Sequence, residues 1–262
     1  MAELEMQLFD ACLKGNVEEV KTLLENLQIN PNWQDKYGCT PLYVACGIGQ
    51  IEVVELLLSD VRIDVNKAGN ESNATPFYIA CQNGKIDIVK LLLNDGRVDV
   101  NEINEVGETA FYISCHNRRI EIIKLLLQDQ RIDVNKAENS GRTPFYISCQ
   151  KGYIEVVTLL VNDQRIDMNK VNYEGWTPLH YACYGGYIEI VQYILASGRE
   201  VNLTIKNKKG ETSIDFARKK EEEEKGSWES EEEYQKRKII YGDIVKLLES
   251  CIRNLNEITT TN

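Results

Sequence analysis

A repeat of about 34 residues constrains this chain more than any other feature of its sequence. The threonines that open the successive copies are Thr40, Thr75, Thr109, Thr143, Thr177 and Thr212. They are separated by 35, 34, 34, 34 and 35 residues. A unit copied at this period packs only on its neighbours, so the length of the chain counts stacked units rather than globular domains.

Each copy has the pattern of two short helices. In the second copy Thr75 is an N-cap, Pro76 occupies the first helical position, and Gly84 supplies the left-handed residue that ends the helix. The next segment, 86–93, has apolar side chains at helical spacing. A turn and an extended stretch then lead to an exposed tip before the next threonine. Because neither helix can bury its apolar face alone, neighbouring copies must stack.

The copies resemble the ankyrin repeat, whose usual pattern is G-x-T-P-L-H-x-A-A-x-x-G-H-x-E-V-V-x-L-L-L with a D-V-N run before the tip. Residues 38–58 read GCTPLYVACGIGQIEVVELLL and residues 175–195 read GWTPLHYACYGGYIEIVQYIL, with three copies between them. The resemblance covers nearly the whole chain. It implies an all-α ankyrin-repeat solenoid of stacked helix–turn–helix units with projecting β-hairpin tips.

The repeat boundaries predict a single ankyrin-repeat domain over residues 1–262. Its expected parts are an amino-terminal cap (2–30), five full repeats (31–65, 66–100, 101–134, 135–168, 169–201), a carboxy-terminal cap repeat (202–255) with a charged insertion (218–240), and a frayed tail (256–262). The amino-terminal cap lacks Thr-Pro and carries Glu3, Glu5, Gln7 and Lys14, polar side chains of the kind that an outer face needs for solubility.

Composition excludes several classes of function. The net charge of −11 is the opposite of the basic face that nucleic acid requires. An acidic surface favours basic partners, although charge also serves simply to keep an array soluble. Residues 1–30 do not read as a signal peptide, and no apolar run approaches the roughly 20 residues of a membrane span. A monomer in the cytoplasm, and also in the nucleus, is expected.

The eight cysteines predict buried thiols rather than disulfides or a metal site. Six of them fall at the same small position of the first helix: Cys12, Cys46, Cys81, Cys115, Cys149 and Cys183. Packed helices lie about 8–10 Å apart, which exceeds the Cα separation that a disulfide spans. The six therefore form a column of small core residues, and free thiols in this number fit a reducing compartment.

The linker between repeats reads D-x-R-[IV]-D-[VM]-N. Its arginines are Arg62, Arg97, Arg131 and Arg165. Because each arginine is flanked by aspartates, the pattern predicts charge-assisted hydrogen bonds repeated along one edge of the stack. A strip that binds anions is the alternative, which the matching carboxylates disfavour.

The third repeat departs most from the common pattern. Ala110 replaces proline, Ser114 replaces alanine, and Arg118 replaces the glycine that ends the first helix. A residue other than glycine in the left-handed conformation costs on the order of 1 kcal/mol, so this turn is expected to be strained or reshaped. Strain of this kind can mark a functional site, and simple drift in a well-supported array is the alternative.

No set of residues suited to catalysis is present, so the chain is expected not to be an enzyme and to need no cofactor or metal. The ankyrin resemblance implies that His180 bonds the loop that carries Thr177. His116 is adjacent to Cys115, but consecutive helical residues do not face each other, as a nucleophile and its base must. No phosphate-binding loop, zinc-ligand spacing or calcium loop appears.

The ankyrin resemblance implies that a protein partner meets the concave face, made of tips and first helices. The positions there that vary between copies, and are the expected partner-binding residues, are Tyr37, Ile48, Gln82, Asn83, Glu105, Glu108, His116, Arg142, Lys151, Tyr173, Glu174, Trp176 and Tyr184. Aromatic ends and an acidic middle suit a segment that carries lysine or arginine. Drift at solvent positions is the alternative, and Trp176 can equally pack across the next tip. The expected function is a non-catalytic interaction module or scaffold.

The charged insertion supplies a rival hypothesis. Gly226 is expected to interrupt a first helix, Ser230 with Glu233 forms a capping-box signature for a short second helix, and Gly242 begins a third that ends at residue 255. On one interpretation the insertion is a solvated extension that Trp228 docks onto the last repeat. On the other it is an acidic docking segment for a basic partner, and the protein is a regulatory or inhibitory subunit.

Overall fold

The computed structural model describes residues 2–69 and 71–260, and every regular element over these residues is an α-helix. The helices are α1 (Ala2–Lys14), α2 (Val17–Leu24), α3 (Pro41–Ile48), α4 (Ile51–Ser59), α5 (Pro76–Asn83), α6 (Ile86–Asn94), α7 (Ala110–His116), α8 (Ile120–Gln128), α9 (Pro144–Gln150), α10 (Ile154–Val161), α11 (Pro178–Tyr184), α12 (Ile188–Ala196), α13 (Ser213–Glu222) and α14 (Glu231–Thr260). None of them combines the length and apolar character that crossing a bilayer requires.

The helices fall into two compact units. The amino-terminal unit, Met1–Asn139, contains α1 to α8, and the carboxy-terminal unit, Ser140–Asn262, contains α9 to α14. Within each unit the two helices of a copy pack together, first helices stack on first helices, and second helices stack on second helices. The predicted all-α class and the helix–turn–helix unit are confirmed.

Local capping sets the helix boundaries as the sequence predicts. In α5 the Thr75 hydroxyl accepts the N–H of Tyr78, Pro76 stands at the start, and Gly84 ends the helix at φ 77°. Repeat three keeps the same path without glycine, because Arg118 adopts φ 54°. The expected strain at Arg118 is therefore present, at a cost on the order of 1 kcal/mol.

The tips are tight turns rather than paired strands. In the turn 35–39 the N–H of Asp35 donates to the carbonyl of Cys39 over 3.0 Å. In the turn 104–108 the N–H of Asn104 donates to the carbonyl of Glu108 over 3.1 Å. No residue in the described ranges is assigned to a strand, so the projecting β-hairpins expected from the resemblance are reduced to their turns.

The cysteine column is buried and fully reduced. All eight cysteines are free, and the six of the column are buried. Burial raises the pKa of the Cys12 and Cys81 thiols to about 12. Because the thiolate is the reactive form, these side chains act as small core residues, as the sequence predicts.

The linker arginines bind the helix ends of the preceding copy. Arg62 forms a bidentate pair with Asp60, in which Nε donates to Oδ1 over 3.0 Å and Nη2 donates to Oδ2. The same Nη2 also donates to the carbonyl of Leu24 at the end of α2 over 2.7 Å. Arg97 and Arg131 contact the last turns of α4 and α6 in the same way. The predicted charge-assisted bonds are present, and they reach across the repeat to main-chain carbonyls.

The asparagine of the D-V-N run, and Asn32 at the equivalent position of the first linker, tie neighbouring linkers together. The side chain of Asn66 donates to the carbonyl of Arg97 over 2.8 Å and accepts the N–H of Asp99 over 2.7 Å. Asn32 and Asn101 make the same pair of bonds one copy away. Each amide thus supplies partners for one backbone N–H and one carbonyl of the next linker, so neighbouring linkers are joined without a sheet.

The carboxy-terminal cap differs from its prediction. Helix α13 ends at Glu222, a loop follows, and α14 then runs without a break through Gly242 to Thr260. The expected short second helix and third helix are therefore one element. The predicted tail is helical to Thr260, while residues 261 and 262 lie outside the described part of the chain.

Candidate interaction surfaces

The first tip of the amino-terminal unit presents Tyr37 on a bonded turn. The Asp35 carboxylate accepts the N–H groups of Tyr37 and Cys39 over 2.9 and 2.8 Å. The tyrosine side chain is 57% exposed, and the Lys36 ammonium lies 4.8 Å from its ring centroid. An aromatic ring held outward by a fixed turn can enter a partner pocket with little loss of entropy.

The central acidic residues of the same unit have different roles. Glu108 accepts a hydrogen bond from the Tyr78 hydroxyl over 2.7 Å and one from the Asn104 amide over 3.1 Å. Burial and this carboxylate together raise the pKa of Tyr78 well above its ordinary value. Glu105 is exposed at the turn. Of the two acidic residues predicted to contact a partner, Glu105 is exposed, whereas Glu108 is half-buried and braces the tip.

The helix faces of this unit use many of their polar groups to join neighbouring copies. Asn83 donates to the carbonyl of Gly47 over 2.9 Å, and the carbonyl of Gln82 accepts a bond from Arg119 over 3.0 Å. The His116 ring stacks on Tyr112 and lies 3.0 Å from the amide oxygen of Asn117.

Ile48, by contrast, is exposed at the end of α3. Some of the predicted helix residues of this unit therefore join neighbouring copies, and others are exposed to solvent.

The tip of the carboxy-terminal unit presents Tyr173, which is 66% exposed. The Asn172 side chain builds this turn, because its oxygen accepts the N–H groups of Glu174 and Trp176 and its nitrogen donates to the Tyr146 hydroxyl over 2.9 Å. Glu174 is exposed and lies 3.6 Å from the Lys208 ammonium. Asn172 is not among the predicted partner-binding residues, although the repeat period aligns it with the corresponding residues of the other tips.

An aromatic cluster lies beside this tip and is formed by Trp176, Tyr181, Tyr184 and Phe216. The Trp176 ring centroid is 4.3 Å from Phe216, 4.8 Å from Tyr181 and 5.9 Å from Tyr184. Tyr184 is 44% exposed, and the Lys220 ammonium lies 5.5 Å from its ring centroid. Trp176 thus packs on the next copy, as one of the two sequence interpretations holds.

The cluster differs from the predicted aromatic group in its membership. Trp176 and Tyr184 come together as expected, but Tyr173 has no ring contact with either of them in the described part of the chain. Tyr181 and Phe216 join instead. Both occupy the position four residues after the opening threonine, where other copies carry valine or isoleucine, so their alignment was a signal for the cluster.

The remaining predicted residues lie on α9 and α11 or near them. Lys151 is exposed directly after α9, and Arg142 is half-buried before it. His180 is fully buried: its Nδ1 lies 2.7 Å from the Thr177 hydroxyl, and its Nε2 lies 3.1 Å from the Glu211 carbonyl. Burial lowers the pKa of His180, which therefore serves as a neutral structural ring, as the resemblance implies.

Comparisons with known proteins agree with this architecture. A family model described as ankyrin repeats (3 copies) matches residues 65–138 and 130–205, and one described as ankyrin repeats (many copies) matches residues 8–58. An ankyrin repeat protein of fowlpox virus (strain NVSL) is 39% identical over 54 residues, which is 21% of this chain and 38% of that relative. The matched segment thus spans well under half of the viral protein.

A solved structure, the ankyrin repeat domain of Bcl-3, a member of the IkappaB protein family, matches with a TM-score of 0.74. The two sequences are 24% identical, and the match covers 80% of this chain and 92% of the Bcl-3 chain. At this level of identity the likeness shows the fold alone.

Proposed function

The chain belongs to the ankyrin repeat family, and from this premise we propose that it is a non-catalytic module that binds a protein partner through its tips and first helices. The observation that carries the proposal is the pair of exposed aromatic side chains of the carboxy-terminal unit, Tyr173 at the tip and Tyr184 at the edge of the aromatic cluster. Aromatic anchors in a partly desolvated setting are typical binding hot spots.

Preorganisation supports the same conclusion. The tips are closed by asparagine and aspartate side chains, and the linkers are bonded from copy to copy. A surface that is fixed before binding loses little conformational entropy when a partner arrives, so modest contact area yields useful affinity. Binding through such a surface requires no conformational change.

The charge of the surface indicates the chemistry of the partner. Glu105 is exposed at a tip of the amino-terminal unit, and Glu174 is exposed at a tip of the carboxy-terminal unit. With a net charge of −11, the chain attracts segments that carry lysine or arginine. All eight cysteines are free, which fits a reducing compartment such as the cytoplasm or nucleus.

Removing the exposed aromatic anchors tests the proposal. Partners are first captured from lysate with the wild-type chain and identified by mass spectrometry, and the affinity of each is then measured by calorimetry. The variant Tyr173→Ala/Tyr184→Ala is expected to weaken binding by more than about 10-fold, the loss typical of hot spots. Trp176 is left in place because it packs on Phe216 and supports the fold.

The matched control removes exposed apolar surface elsewhere. Leu27 and Val61 are among the most exposed apolar side chains of the amino-terminal unit and lie on turns after second helices. The variant Leu27→Ala/Val61→Ala is expected to bind as the wild type does. Equal losses in the two variants, or none in the tyrosine pair, would contradict binding through the tips and first helices.

A further inference from the structure

The loop that joins α13 to α14, residues 223–230, presents a tryptophan to solvent. The side chain of Trp228 is 89% exposed, so it does not dock the insertion onto the last repeat as one sequence interpretation expects. Indole rings are largely buried on average in folded proteins, since burying one removes a large apolar area from water. An indole ring that is exposed to this degree is therefore unusual and calls for a functional explanation.

Arg237 holds this loop in place from α14. Its Nη1 donates to the carbonyl of Lys220 over 2.5 Å, and its Nη2 donates to the carbonyls of Glu223 and Glu224 over 3.2 and 3.4 Å. Carbonyls at the end of a helix lack partners within the helix, so Arg237 acts as a carboxy-terminal cap for α13.

A half-buried ion pair fixes the residue next to the tryptophan. The carboxylate of Glu229 accepts two bonds from Arg237, at 2.9 and 3.1 Å, and the two side chains are only 14% and 18% exposed. On the other side, the indole lies against Gly226, where an added Cβ would approach the ring to 2.9 Å. Trp228 is thus presented by a bonded loop.

The carboxylates of this segment are only partly neutralised. Residues 221–233 contain eight glutamates and one lysine. Glu223 pairs with Lys220, Glu231 with Lys225, and Glu229 with Arg237. Within the described part of the chain, three exposed carboxylates have no hydrogen-bonding partner: Glu222, Glu224 and Glu232.

We propose that the loop 223–230, together with Glu222 and Glu232 in the helices that flank it, is a second docking surface, separate from the tips and first helices, and that it binds an arginine-containing basic segment of a protein partner. The indole offers a face on which a guanidinium stacks, and the three unpaired carboxylates neutralise the neighbouring cations. Carboxylates alone would attract any cation. The exposed ring adds a preference for arginine, which is planar and more weakly hydrated than lysine.

A defined probe tests this surface on the full chain. A fluorescein-labelled peptide of alternating arginine and glycine is titrated with the protein at low ionic strength, and its anisotropy is followed. The variant Trp228→Ala is expected to weaken binding by about 5-fold, at the upper end of the range for an exposed cation–π contact. The variant Glu222→Gln/Glu224→Gln/Glu232→Gln is expected to weaken it by about 10-fold or more. The peptide with lysine in place of arginine is expected to bind less tightly.

The control removes three charges elsewhere. Glu18, Glu52 and Glu55 are exposed on second helices of the amino-terminal unit. The variant Glu18→Gln/Glu52→Gln/Glu55→Gln changes the net charge equally and is expected to bind the peptide as the wild type does. Equal weakening in the two triple variants would overturn the proposal, because attraction by the overall charge would then explain binding.

Three further outcomes would also overturn it. One is affinity unchanged by Trp228→Ala, and a second is equal affinity for the lysine peptide. The third is concentration-dependent self-association in sedimentation that Trp228→Ala abolishes, because the loop would then bind a second copy. The variant Tyr173→Ala/Tyr184→Ala is expected to bind the peptide as the wild type does. The proposal for the loop rests on different residues from the proposed function, so either one can be contradicted without the other.

Discussion

At the residue scale, the environment of a tryptophan depends on whether the next copy supplies an aromatic partner. Trp176 lies 4.3 Å from Phe216, which stands at the equivalent of a first-helix position in the cap, and it is half-buried as a result. Trp228 comes after the last regular copy and has no ring contact within the described residues. One ring therefore packs into the fold, while the other is exposed to solvent.

His180→Gln is expected to flatten the pH dependence of stability. Burial lowers the pKa of His180 below its ordinary value of 6.5, so as the pH falls through that value the unfolded chain takes up a proton that the folded chain resists. The free energy of unfolding therefore decreases on acidification. Glutamine preserves the capping box with Thr177 and does not titrate.

Urea unfolding of both proteins from about pH 7.5 to pH 5 measures the effect. The carboxylates titrate in both proteins, so the difference between the two slopes isolates His180. Identical slopes would show that the imidazole does not resist protonation in the fold.

Residue-level features were predictable where their cause is local. The threonine caps and the left-handed conformation of Arg118 are predicted by the residues next to them, because a cap satisfies backbone groups within one turn. The bonds of Asn66 and the contact between Trp176 and Phe216 join residues more than 30 positions apart. Their partners become visible only when the copies are aligned, and the exposure of Trp228 depends on a loop that has no counterpart in the repeat.

At the element scale, the second helices depend on the next linker for their carboxy-terminal caps. Arg62 bonds the end of α2, and in the carboxy-terminal unit Arg199 donates to the carbonyl of Val161, the last residue of α10, over 3.1 Å. The hydrogen bond from Arg62 also holds the pKa of Asp60 below its usual value. The charged linker is therefore a structural joint between copies rather than an anion-binding strip.

Arg62→Met is expected to lower the free energy of unfolding by about 1–3 kcal/mol, the usual cost of leaving partly buried hydrogen-bond acceptors without a partner. The variant removes bonds to the carbonyls of Leu24, Asn26 and Ile29 and strands the Asp60 carboxylate. Denaturant unfolding with unchanged m-values measures the loss.

Lys90→Met is the control, because its ion pair with Asp87 is exposed and worth at most about 1 kcal/mol. An Arg62→Met protein as stable as the control would show that the linker bonds do not hold the copies together.

Helix boundaries in the cap were only partly predictable. Ser230 caps α14 as its capping box indicates, with Glu233 accepting both its N–H and its hydroxyl. Gly242, read as the start of a new helix, lies buried inside α14. A glycine in a helix costs about 1 kcal/mol relative to alanine, and packing of α14 against α13 offsets that cost. Local helix propensity therefore does not predict this boundary, because tertiary contacts determine it.

At the scale of the whole molecule, the repeat period determines the class of fold because no copy can bury its apolar face alone. This is why the repeat period, read from the threonines, predicts the stacked pairs of helices better than residue propensities could. The period does not determine whether the amino-terminal and carboxy-terminal units unfold together. The single domain over residues 1–262 stays a prediction, and the cysteine column offers a way to test it.

Thiol labelling is expected to report one cooperative unfolding reaction. In the native chain only Cys39 and Cys251, which are half-exposed, should react with an aromatic disulfide, because burial keeps the column thiols protonated and covered. The column has four thiols in the amino-terminal unit and two, Cys149 and Cys183, in the carboxy-terminal unit.

The variant Cys39→Ser/Cys251→Ser removes the fast background, and peptide mass spectrometry then follows each remaining thiol in mild denaturant. If nearest-neighbour coupling makes the array one domain, all six thiols acquire label with a common rate constant, since each is exposed by the same global opening. Faster labelling of Cys149 and Cys183 than of the other four, or the reverse, would mean that each unit opens alone.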